Sequence, residues 1–561
     1  MEEVVPRSTV LLRSKRSDHH ARRFRRLAAF TVFLLGSCSS RMTPDQALQP
    51  QAAAPVAGST STSNPMASSA PPGIAGSTPP PLQAQPPNTT VTTMPSAGNS
   101  TPPSASGGSD AGVTRADAGE VSSDATGSAD WPSFGHDTDN TRYASQEKDI
   151  SRENVSTLVR KWMWDGAGVT STPAVVDGVV YFGDWNGTLH AADAKDGTEV
   201  WSVSLQSGSF LAQLNDSPLV TPDAVYVGGS GAQLFAVDRE TGKKLWDPPM
   251  TLDKQQQTLL WSSPVLAGDE IVIGIGSFAV FLGGSFRGSI VGVDAHTGAT
   301  RWQTFVVPES GQGVSVWSSA AYDSTRKRIY IGTGQTYALP ASLDADAVVA
   351  LDRDSGMLAW SHQYTVDDAF SISSAITGQD FDVGAAPNLF VEDGRALVGA
   401  GDKGGRYLAL DRDTGQMVWA QTLTPGGRNG GVMGSAAYAD GTIYLTSNTG
   451  EPTSLVGNGG PPASTAFALR AANGEILWKT PLPDGSFGGV TVANGVMFAT
   501  TIDGMLYALD VTDGHILWMD KMGASAAGGI SVVAGMVYVG HGWEWLPSGA
   551  LAGGLLAYGL P

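Results

Sequence analysis

Seven stretches of this chain repeat one pattern, and this repetition limits the fold more than any other feature. Each stretch reads as a strand, a polar turn that contains Gly, and a second strand that ends in Trp. The seven are Leu189–Trp201, Leu234–Trp246, Ile290–Trp302, Val348–Trp360, Gly404–Trp419, Ala466–Trp478 and Leu506–Trp518. A repeat of this length predicts a protein built from similar structural units.

The spacing of the terminal Trp residues identifies the unit. Successive Trps lie between 40 residues apart (Trp478 to Trp518) and 59 residues apart (Trp360 to Trp419). Four short strands with their turns fill about 40 to 45 residues of a propeller blade, and longer loops extend that length. A second strand–turn–strand pattern precedes the repeat in several units, at Pro173–Gly183, Pro218–Gly228 and Ser435–Leu445. Two hairpins per unit predict a four-stranded blade.

The two ends of the repeat region complete an eighth unit. Leu158–Trp162 resembles a last strand without preceding ones, whereas Ile530–Val539 and Leu555–Gly559 resemble three inner strands without a last one. Pairing them would close a ring and leave no open sheet edge. The sequence therefore predicts an all-β, eight-bladed β-propeller. We expect the seven repeat Trps to be core residues between blades, since each buried Trp removes about 150 to 250 Å² from water.

The part before the propeller has a different character. Residues 1–38 resemble a signal peptide, with a basic region before the apolar run Leu27–Leu35 and a lipobox-like ending at Cys38. We expect Cys38, the only Cys in the chain, to be lipidated at a bacterial cell envelope; the alternative is a plain secretory signal with an incidental Cys. Residues 39–130 are rich in Pro, Ser, Thr and Gly and predict a disordered tether. The propeller is predicted at 131–561.

Charge and motifs exclude several function classes. The formal net charge is −19 and the sequence pI is about 4.7, which argues against binding nucleic acid. The sequence contains no P-loop, HExxH or Cys-x-x-Cys-His motif. The last absence excludes a covalently attached c-type haem.

The repeats and several longer stretches resemble one family. These stretches are Trp131–Arg142, Phe286–Asp294, Trp317–Gly334, Asp380–Pro387 and Gly401–Asp411. They are similar to the PQQ-repeat quinoprotein alcohol dehydrogenases, and in particular to polyvinyl-alcohol dehydrogenases. The resemblance implies pyrroloquinoline quinone (PQQ) as the cofactor, a small alcohol or a polymer as the substrate, and an external electron acceptor.

The resemblance also implies site residues. Trp317 matches the Trp that forms the floor under the quinone, and Lys403 matches the cation near the quinone carbonyls. Gln335 follows Gly-Thr-Gly, where the family has Asn, and Ser371 occupies the place of the catalytic Asp, with Asp367 and Asp368 nearby. We predict cofactor binding by Trp317, Gln335, Ser371 and Lys403 and assign no catalytic residue. The structural alternatives are a core Trp and a solvated loop Lys.

The calcium site of the family is altered in this sequence. The family places a Glu ligand in a stretch that matches Ile271–Arg287, which contains no Asp or Glu. With the changes at Gln335 and Ser371, three positions differ, and we predict no metal ligands. Two hypotheses follow: a PQQ-dependent alcohol dehydrogenase with an altered pocket, or a non-catalytic scaffold or binding lipoprotein with an envelope protein as partner. A third hypothesis is a sugar- or polymer-binding propeller that uses aromatic residues at its rim, such as Trp543 and Trp545.

Overall fold

The structure, a computed structural model, describes residues 129–206, 213–373, 376–449, 464–543 and 552–561. The signal peptide, Cys38, all but the last two residues of the tether, and Trp545 lie outside the described residues. None of the helices among the described residues has the length and apolar character needed to cross a membrane. The predicted domain boundaries stay predictions.

The described residues form eight antiparallel blades, numbered here in chain order. Their strands, from the innermost to the outermost, are the following. Blade 1 contains Ala174–Val176, Val179–Gly183, Thr188–Asp193 and Glu199–Ser204; blade 2 contains Leu219–Val220, Ala224–Gly229, Gln233–Asp238 and Met250–Thr251; blade 3 contains Val265–Ala267, Glu270–Ser277, Ser289–Asp294 and Thr300–Phe305; blade 4 contains Ala321–Asp323, Arg328–Gly332, Ala347–Asp352 and Leu358–Gln363. Blade 5 contains Asn388–Glu392, Arg395–Gly401, Arg406–Asp411 and Met417–Thr422; blade 6 contains Ala437–Ala439, Thr442–Asn448, Ser464–Arg470 and Ile476–Leu482; blade 7 contains Thr491–Ala493, Val496–Thr501, Met505–Asp510 and Ile516–Lys521; blade 8 contains Ile530–Val533, Met536–His541, Gly553–Gly559 and Val159–Gly166.

Smaller elements complete the fold. Thr258–Leu259 adds a strand to blade 3, and Tyr143–Ala144 adds a parallel strand to the inner edge of blade 7. A two-stranded hairpin, Phe370–Ser371 with Ile376–Thr377, lies in the connection between blades 4 and 5. The described helices are the 3-10 turn Val155–Thr157 and the α-helical turn Ala279–Leu282.

The ring closes as predicted. The outer strand of blade 8, Val159–Gly166, pairs antiparallel with Gly553–Gly559 near the end of the chain. The inner strands of blades 8 and 1 also pack together. The prediction of an eight-bladed β-propeller closed by its first and last strands is therefore confirmed.

The repeat pattern creates an interlock between neighbouring blades. In blade 5, the carboxylate of Asp411 accepts hydrogen bonds from the backbone N–H groups of Asp413 and Thr414, at 3.1 and 2.9 Å, and shapes the turn. Gly415 in that turn has φ 70° and lies under the indole ring of Trp360 from blade 4. The indole N–H of Trp360 donates to the carbonyl of Arg412 at 3.0 Å. The turn of one blade thus receives the Trp of the blade before it.

The same interlock recurs around the ring. Further pairs of a Trp and the turn Gly of the next blade are Trp162 with Gly197, Trp201 with Gly242, Trp302 with Gly356, Trp419 with Gly474, and Trp478 with Gly514. In each pair the indole N–H donates to a backbone carbonyl of the receiving turn, at 2.8 to 3.0 Å. These contacts explain why the Trp and the turn Gly occur in the same repeat.

Two of the seven repeat Trps depart from the pattern. Trp246 is buried but lies before the outer strand of blade 2, and Met250 takes the place over Gly298 of blade 3. Trp518 is only half-buried and packs edge-on against Tyr558 of blade 8, at 5.4 Å between ring centroids. The prediction that the second strand of each repeat ends in its Trp is therefore wrong. In blades 1 and 3 to 7 the Trp is the third residue of an outer strand that continues beyond it, and in blade 2 the Trp precedes the outer strand.

Residues 131–144 form a plug, as this segment is called below, in the middle of the ring. Backbone carbonyls of the plug accept hydrogen bonds from inner-strand N–H groups of six blades, at 2.8 to 3.0 Å: Val175, Val220, Tyr322, Leu389, Tyr438 and Val492. Each of these is the second residue of its inner strand. Because the bonds go to backbone atoms at one level of the channel, the plug ties the blades together whatever their side chains.

Two buried side chains anchor the plug. The amide of Asn140 donates to the carbonyls of Ala320 and Pro387, at 2.9 and 3.0 Å. The guanidinium of Arg142 is fully buried and donates to the carbonyls of Val490 at 2.7 Å and Ile530 at 3.3 Å, and to Phe134. The buried Arg therefore finds its partners among backbone carbonyls of blades 7 and 8.

Candidate functional site

The predicted site residues lie in loops at one end of the channel, called here the site end. Trp317 lies four residues before the inner strand of blade 4, and Gln335 follows the second strand of that blade. Lys403 follows the second strand of blade 5. The plug contacts the inner strands further along their length. The site end is therefore the end of the channel where these loops, and not the plug, surround the axis.

One carboxylate, Asp382, joins three of the four predicted residues. Its oxygens accept hydrogen bonds from the indole N–H of Trp317 at 3.1 Å, from the backbone N–H of Gln335 at 2.8 Å, and from the ammonium of Lys403 at 3.1 Å. Asp382 is 5% exposed. Trp317, Gln335 and Lys403 are thus brought together by an acid that the sequence interpretation did not single out.

Lys403 is the central cation of this cluster. Its ammonium is buried between Asp382 and Asp380, at 3.1 and 3.0 Å. Burial opposes the charge on the ammonium, but the two carboxylates hold the pKa of Lys403 above its ordinary value. The alternative of a solvated loop Lys is therefore wrong.

Asp380 is the carboxyl of the cluster whose pKa lies near neutral pH. Burial raises the pKa of Asp380 to about 7, with Lys403 opposing the rise and Asp382 adding to it. A carboxyl with a pKa near neutral pH is suited to accept and release a proton under ordinary conditions.

The hairpin between blades 4 and 5 brings Ser371 next to this cluster without joining it. The backbone N–H of Phe370 donates to the carbonyl of Thr336 at 2.9 Å, so the hairpin runs beside Gln335. The hydroxyl of Ser371 makes a 3.0 Å hydrogen bond to the hydroxyl of Ser373. Ser371 therefore lies near Gln335 in the fold, and its own described side-chain bond stays within the hairpin.

The acids near Ser371 have different surroundings. Asp368 is buried, and its carboxylate accepts hydrogen bonds from the backbone N–H groups of Gln379 and Phe381, at 2.8 and 3.0 Å. Asp367 is exposed. Asp368 therefore shapes the loop that carries Asp380 and Asp382, while Asp367 faces solvent.

Two further residues complete the surroundings of the cluster. The exposed guanidinium of Arg428 lies over the ring of Phe370, 4.6 Å from its centroid, and its charge acts to lower the pKa of Asp380. Tyr337 is buried, and burial, with Asp382 and Asp380 nearby, raises the pKa of its phenol. The site end therefore presents one exposed cation above a buried charge cluster.

The donor set does not fit a calcium ion. In the part of the chain that the structure describes, no three His, Cys, Asp or Glu side chains gather in a metal-binding arrangement. The ammonium of Lys403 occupies the space between Asp380 and Asp382. Calcium binds several oxygen ligands, usually carboxylates among them. We therefore derive no chemistry from a metal at this place.

The sequence interpretation missed Asp380, Asp382 and a third acid, Asp346. The signal for the first two was present, because the stretch Asp380–Pro387 belongs to the family resemblance. Asp346 carried no such signal, since it follows an irregular loop just before the third strand of blade 4. Only the fold shows that these acids meet at the boundary of blades 4 and 5.

The fold and the site together place this protein in one structural class. It is a repeat β-propeller whose blades interlock through Trp residues and which has a buried Lys–Asp cluster at one end of its axis. The chain belongs to the PQQ-repeat family whose description reads "Outer membrane protein assembly factor BamB", which matches residues 118–344, 344–462 and 403–553. This membership confirms the family predicted from the repeats.

Relatives that act on alcohols are also similar to this chain. A polyvinylalcohol dehydrogenase of Pseudomonas sp is 29% identical over 256 residues, and the match covers 39% of this chain and 39% of the relative. A quinohemoprotein alcohol dehydrogenase of Comamonas testosteroni is 25% identical over 389 residues, covering 59% of this chain and 52% of the relative. The chain thus matches about half or less of the length of these relatives.

Solved structures agree on the fold. The crystal structure of the quinohemoprotein alcohol dehydrogenase from Comamonas testosteroni covers 77% of this chain and 80% of its own, with a TM-score of 0.63 at 22% identity. A europium-containing methanol dehydrogenase covers 77% of this chain and 98% of its own, with a TM-score of 0.64 at 19% identity. At these identities the likeness shows the fold alone.

Proposed function

We propose that this protein is a quinoprotein alcohol dehydrogenase that binds PQQ at the site end of the channel. The observation that carries the proposal is the convergence of Trp317, Gln335 and Lys403 on Asp382. A half-exposed indole, a buried ammonium and an amide supply an aromatic face, a fixed positive charge and a hydrogen-bonding group. This donor set fits a flat, electron-poor quinone.

The residues of the chain would divide the work of holding this ligand. Trp317 would stack on the flat face of PQQ, and Lys403 would place a positive charge beside its carbonyls. Arg428, exposed above Phe370, would attract the carboxylate groups of PQQ. PQQ, when bound, supplies the capacity to take two electrons from an alcohol. Ser371 contributes the wall next to Gln335.

Asp380 is the residue we propose as the general base. Its pKa of about 7 keeps a large fraction ionised at neutral pH, and a carboxylate can then take a proton from the hydroxyl of an alcohol. Lys403 holds the carboxylate at 3.0 Å and fixes its direction. We expect an alcohol-dependent rate that falls as the pH drops below about 7, because Asp380 then becomes protonated.

Binding of PQQ to the purified protein tests the proposal. Titration followed by quenching of Trp fluorescence should show saturable binding at micromolar PQQ. Lys403→Gln should weaken it at least about tenfold, equal to about 1.4 kcal/mol. Lys479→Gln, which changes an exposed Lys on the outer strand of blade 6, is the matched control. Absence of binding, or equal affinity in both variants, would overturn the assignment.

Activity separates the enzyme from a binding protein. The PQQ-loaded protein should reduce an artificial dye when given a primary alcohol or a polymeric alcohol. Asp380→Asn should lose this activity while still binding PQQ, because the amide cannot act as a base. Dye reduction that is unchanged in Asp380→Asn would remove Asp380 from the mechanism. Chelation of calcium should leave PQQ affinity unchanged.

A second candidate is a non-catalytic scaffold of the cell envelope. The observation in its favour is the family description, which names an outer-membrane assembly factor. It predicts that protein partners are captured when intact envelopes are cross-linked, and that PQQ does not bind. The titration above therefore decides between the two candidates.

We also propose that the protein is lipid-anchored in the bacterial envelope through Cys38. The support is the lipobox-like sequence that ends at Cys38. Mass spectrometry of the mature N-terminus should find a diacylglycerol-modified Cys, and Cys38→Ser should release the protein from membranes. An unmodified N-terminus at another residue would favour the plain secretory signal.

A further inference from the structure

Asp346 is a buried acid with an unusual environment. It precedes the third strand of blade 4, has no exposed surface, and has φ 48°. Its backbone is fully used, because the N–H donates to the carbonyl of Gly334 at 3.1 Å and the carbonyl accepts from the N–H of Tyr364 at 2.7 Å. Neither carboxyl oxygen has a hydrogen-bond partner within the part of the chain that the structure describes. The backbone therefore fixes an acid whose side chain is left unpaired.

Among the described residues, the cation that acts on Asp346 is already paired with other acids. The groups that act on it are Asp382, Asp368 and Asp380 from the connection between blades 4 and 5, and Lys403 from blade 5. Gly334, which accepts the N–H of Asp346, lies against the carboxylate of Asp382, so Asp346 and Asp382 flank the same residue. The ammonium of Lys403 is already bonded to Asp380 and Asp382. A negative charge on Asp346 would thus face acids and a committed lysine.

An ionised carboxylate in this place would be costly. Burying an unpaired charge costs several kcal/mol or more, and a buried acid commonly avoids that cost by keeping its proton. We propose that Asp346 holds a proton at neutral pH and so stands as a neutral carboxylic acid beside the Lys403–Asp382 pair. This inference does not depend on PQQ binding.

The neutral acid has a consequence for the site. While Asp346 is protonated, Lys403 stays bonded to Asp380 and Asp382, and the cluster carries one negative charge fewer toward an anionic ligand. If Asp346 ionised, it would compete for Lys403 and add repulsion among the acids. Asp346 is therefore a positioning residue that acts through Lys403.

Stability should depend on this proton in a defined direction. Burial, with the neighbouring acids adding, raises the pKa of Asp346 well above its ordinary value. The folded state then keeps a proton that the unfolded state releases above about pH 4. Stability contributed by this group is therefore lost as the pH rises above about 4. Asp346→Asn, which is neutral at every pH, should flatten this part of the pH–stability curve.

Infrared spectroscopy of the ligand-free protein tests the proposal directly. A protonated carboxyl has a carbonyl-stretch band separate from the bands of carboxylates. At about pH 8, Asp139 and Asp380 are ionised, since the pKa of each is about 7. We expect a protonated-acid band in the parent that loses one component in Asp346→Asn. Asp344→Asn, which changes a half-exposed acid two residues earlier, should leave the band unchanged.

A second variant identifies another component of the band. Asp216 is also buried, and burial raises its pKa; one of its oxygens accepts the backbone N–H of Gly228 at 2.6 Å. Asp216→Asn should remove a different component from that of Asp346→Asn. A spectrum that Asp346→Asn does not change, or an Asp346→Asn chain that cannot fold, would overturn the proposal, because a neutral amide should replace a neutral acid without loss of the fold.

Discussion

Replacing Asn140 by Gly would measure how strongly the plug holds the ring. The side chain of Asn140 is 1% exposed and donates to the carbonyls of Ala320, before the inner strand of blade 4, and Pro387, before that of blade 5. Asn140 has φ 54°, a value that Gly adopts without strain, so the substitution removes the amide and keeps the backbone.

The magnitude follows from the two carbonyls that lose their donor. A buried acceptor left unpaired costs about 1 to 3 kcal/mol, and Gly adds up to about 1 kcal/mol through the unfolded chain. The two carbonyls would line one cavity, and water that enters it could donate hydrogen bonds to them. We therefore expect less than the full sum, a total loss of about 3 to 5 kcal/mol. With an unfolding entropy of about 2.1 cal/mol/K per residue, a domain of this size should melt about 3 to 5 °C lower.

Differential scanning calorimetry of the parent and the variant is the appropriate assay. Asn186→Gly is the control, since Asn186 is exposed in a loop of blade 1 and should cost less than about 1 kcal/mol. Hydrogen exchange should become faster at the amides of Tyr322 and Leu389, which donate to the plug. If Asn140→Gly melts at the same temperature as Asn186→Gly, the plug does not hold the blades together and the reasoning fails.

Two other predictions concern the interlock and the plug. Gly415→Ala should lower the free energy of thermal unfolding by about 2 to 4 kcal/mol, because φ 70° strains an Ala and the added methyl group would contact the ring of Trp360. Gly178→Ala is the control for backbone strain alone, since its φ is 75° and no atom of the described residues lies near the added methyl group. Equal losses in the two variants would contradict the steric contribution of Trp360. Asp139→Asn should stabilise the protein at about pH 8 more than at about pH 4. Burial and Asp137 raise the pKa of Asp139 to about 7, so the stability that its proton gives the folded state is lost as the pH rises from about 4, where the unfolded chain releases that proton, to about 7. A difference in unfolding free energy that does not change with pH would contradict this reasoning.

The blades were predictable because their determinants are local and repeated. Each repeat specifies a strand pair through alternation and a turn through Asp411-like and Gly415-like residues. Blade 2 differs from the other repeats because its outer strand begins only at Met250, four residues after Trp246. A terminal Trp in the sequence indicates that a blade is near its end, but not which residue packs on the next blade.

The candidate site was predictable in part. Trp317, Gln335 and Lys403 could be named because the sequence around them carries the family resemblance, and each lies within four residues of a regular strand. Asp382 and Asp346 lie in irregular connections whose course depends on tertiary contacts. Most of the plug belongs to the stretch Trp131–Arg142, which carries the family resemblance. Its partners in the blades are backbone atoms, and the sequence of the blades does not reveal such contacts.

The closing sheet has a consequence for how this protein is made. Val159 pairs with Gly559, 400 residues later, so blade 8 cannot form until Gly559 has left the ribosome. Until then Val159–Gly166 is an unpaired strand, and such strands readily pair with other chains. The strand Val159–Gly166 must therefore stay apart from neighbouring nascent chains during synthesis, and its exposure ends when Gly553–Gly559 pairs with it.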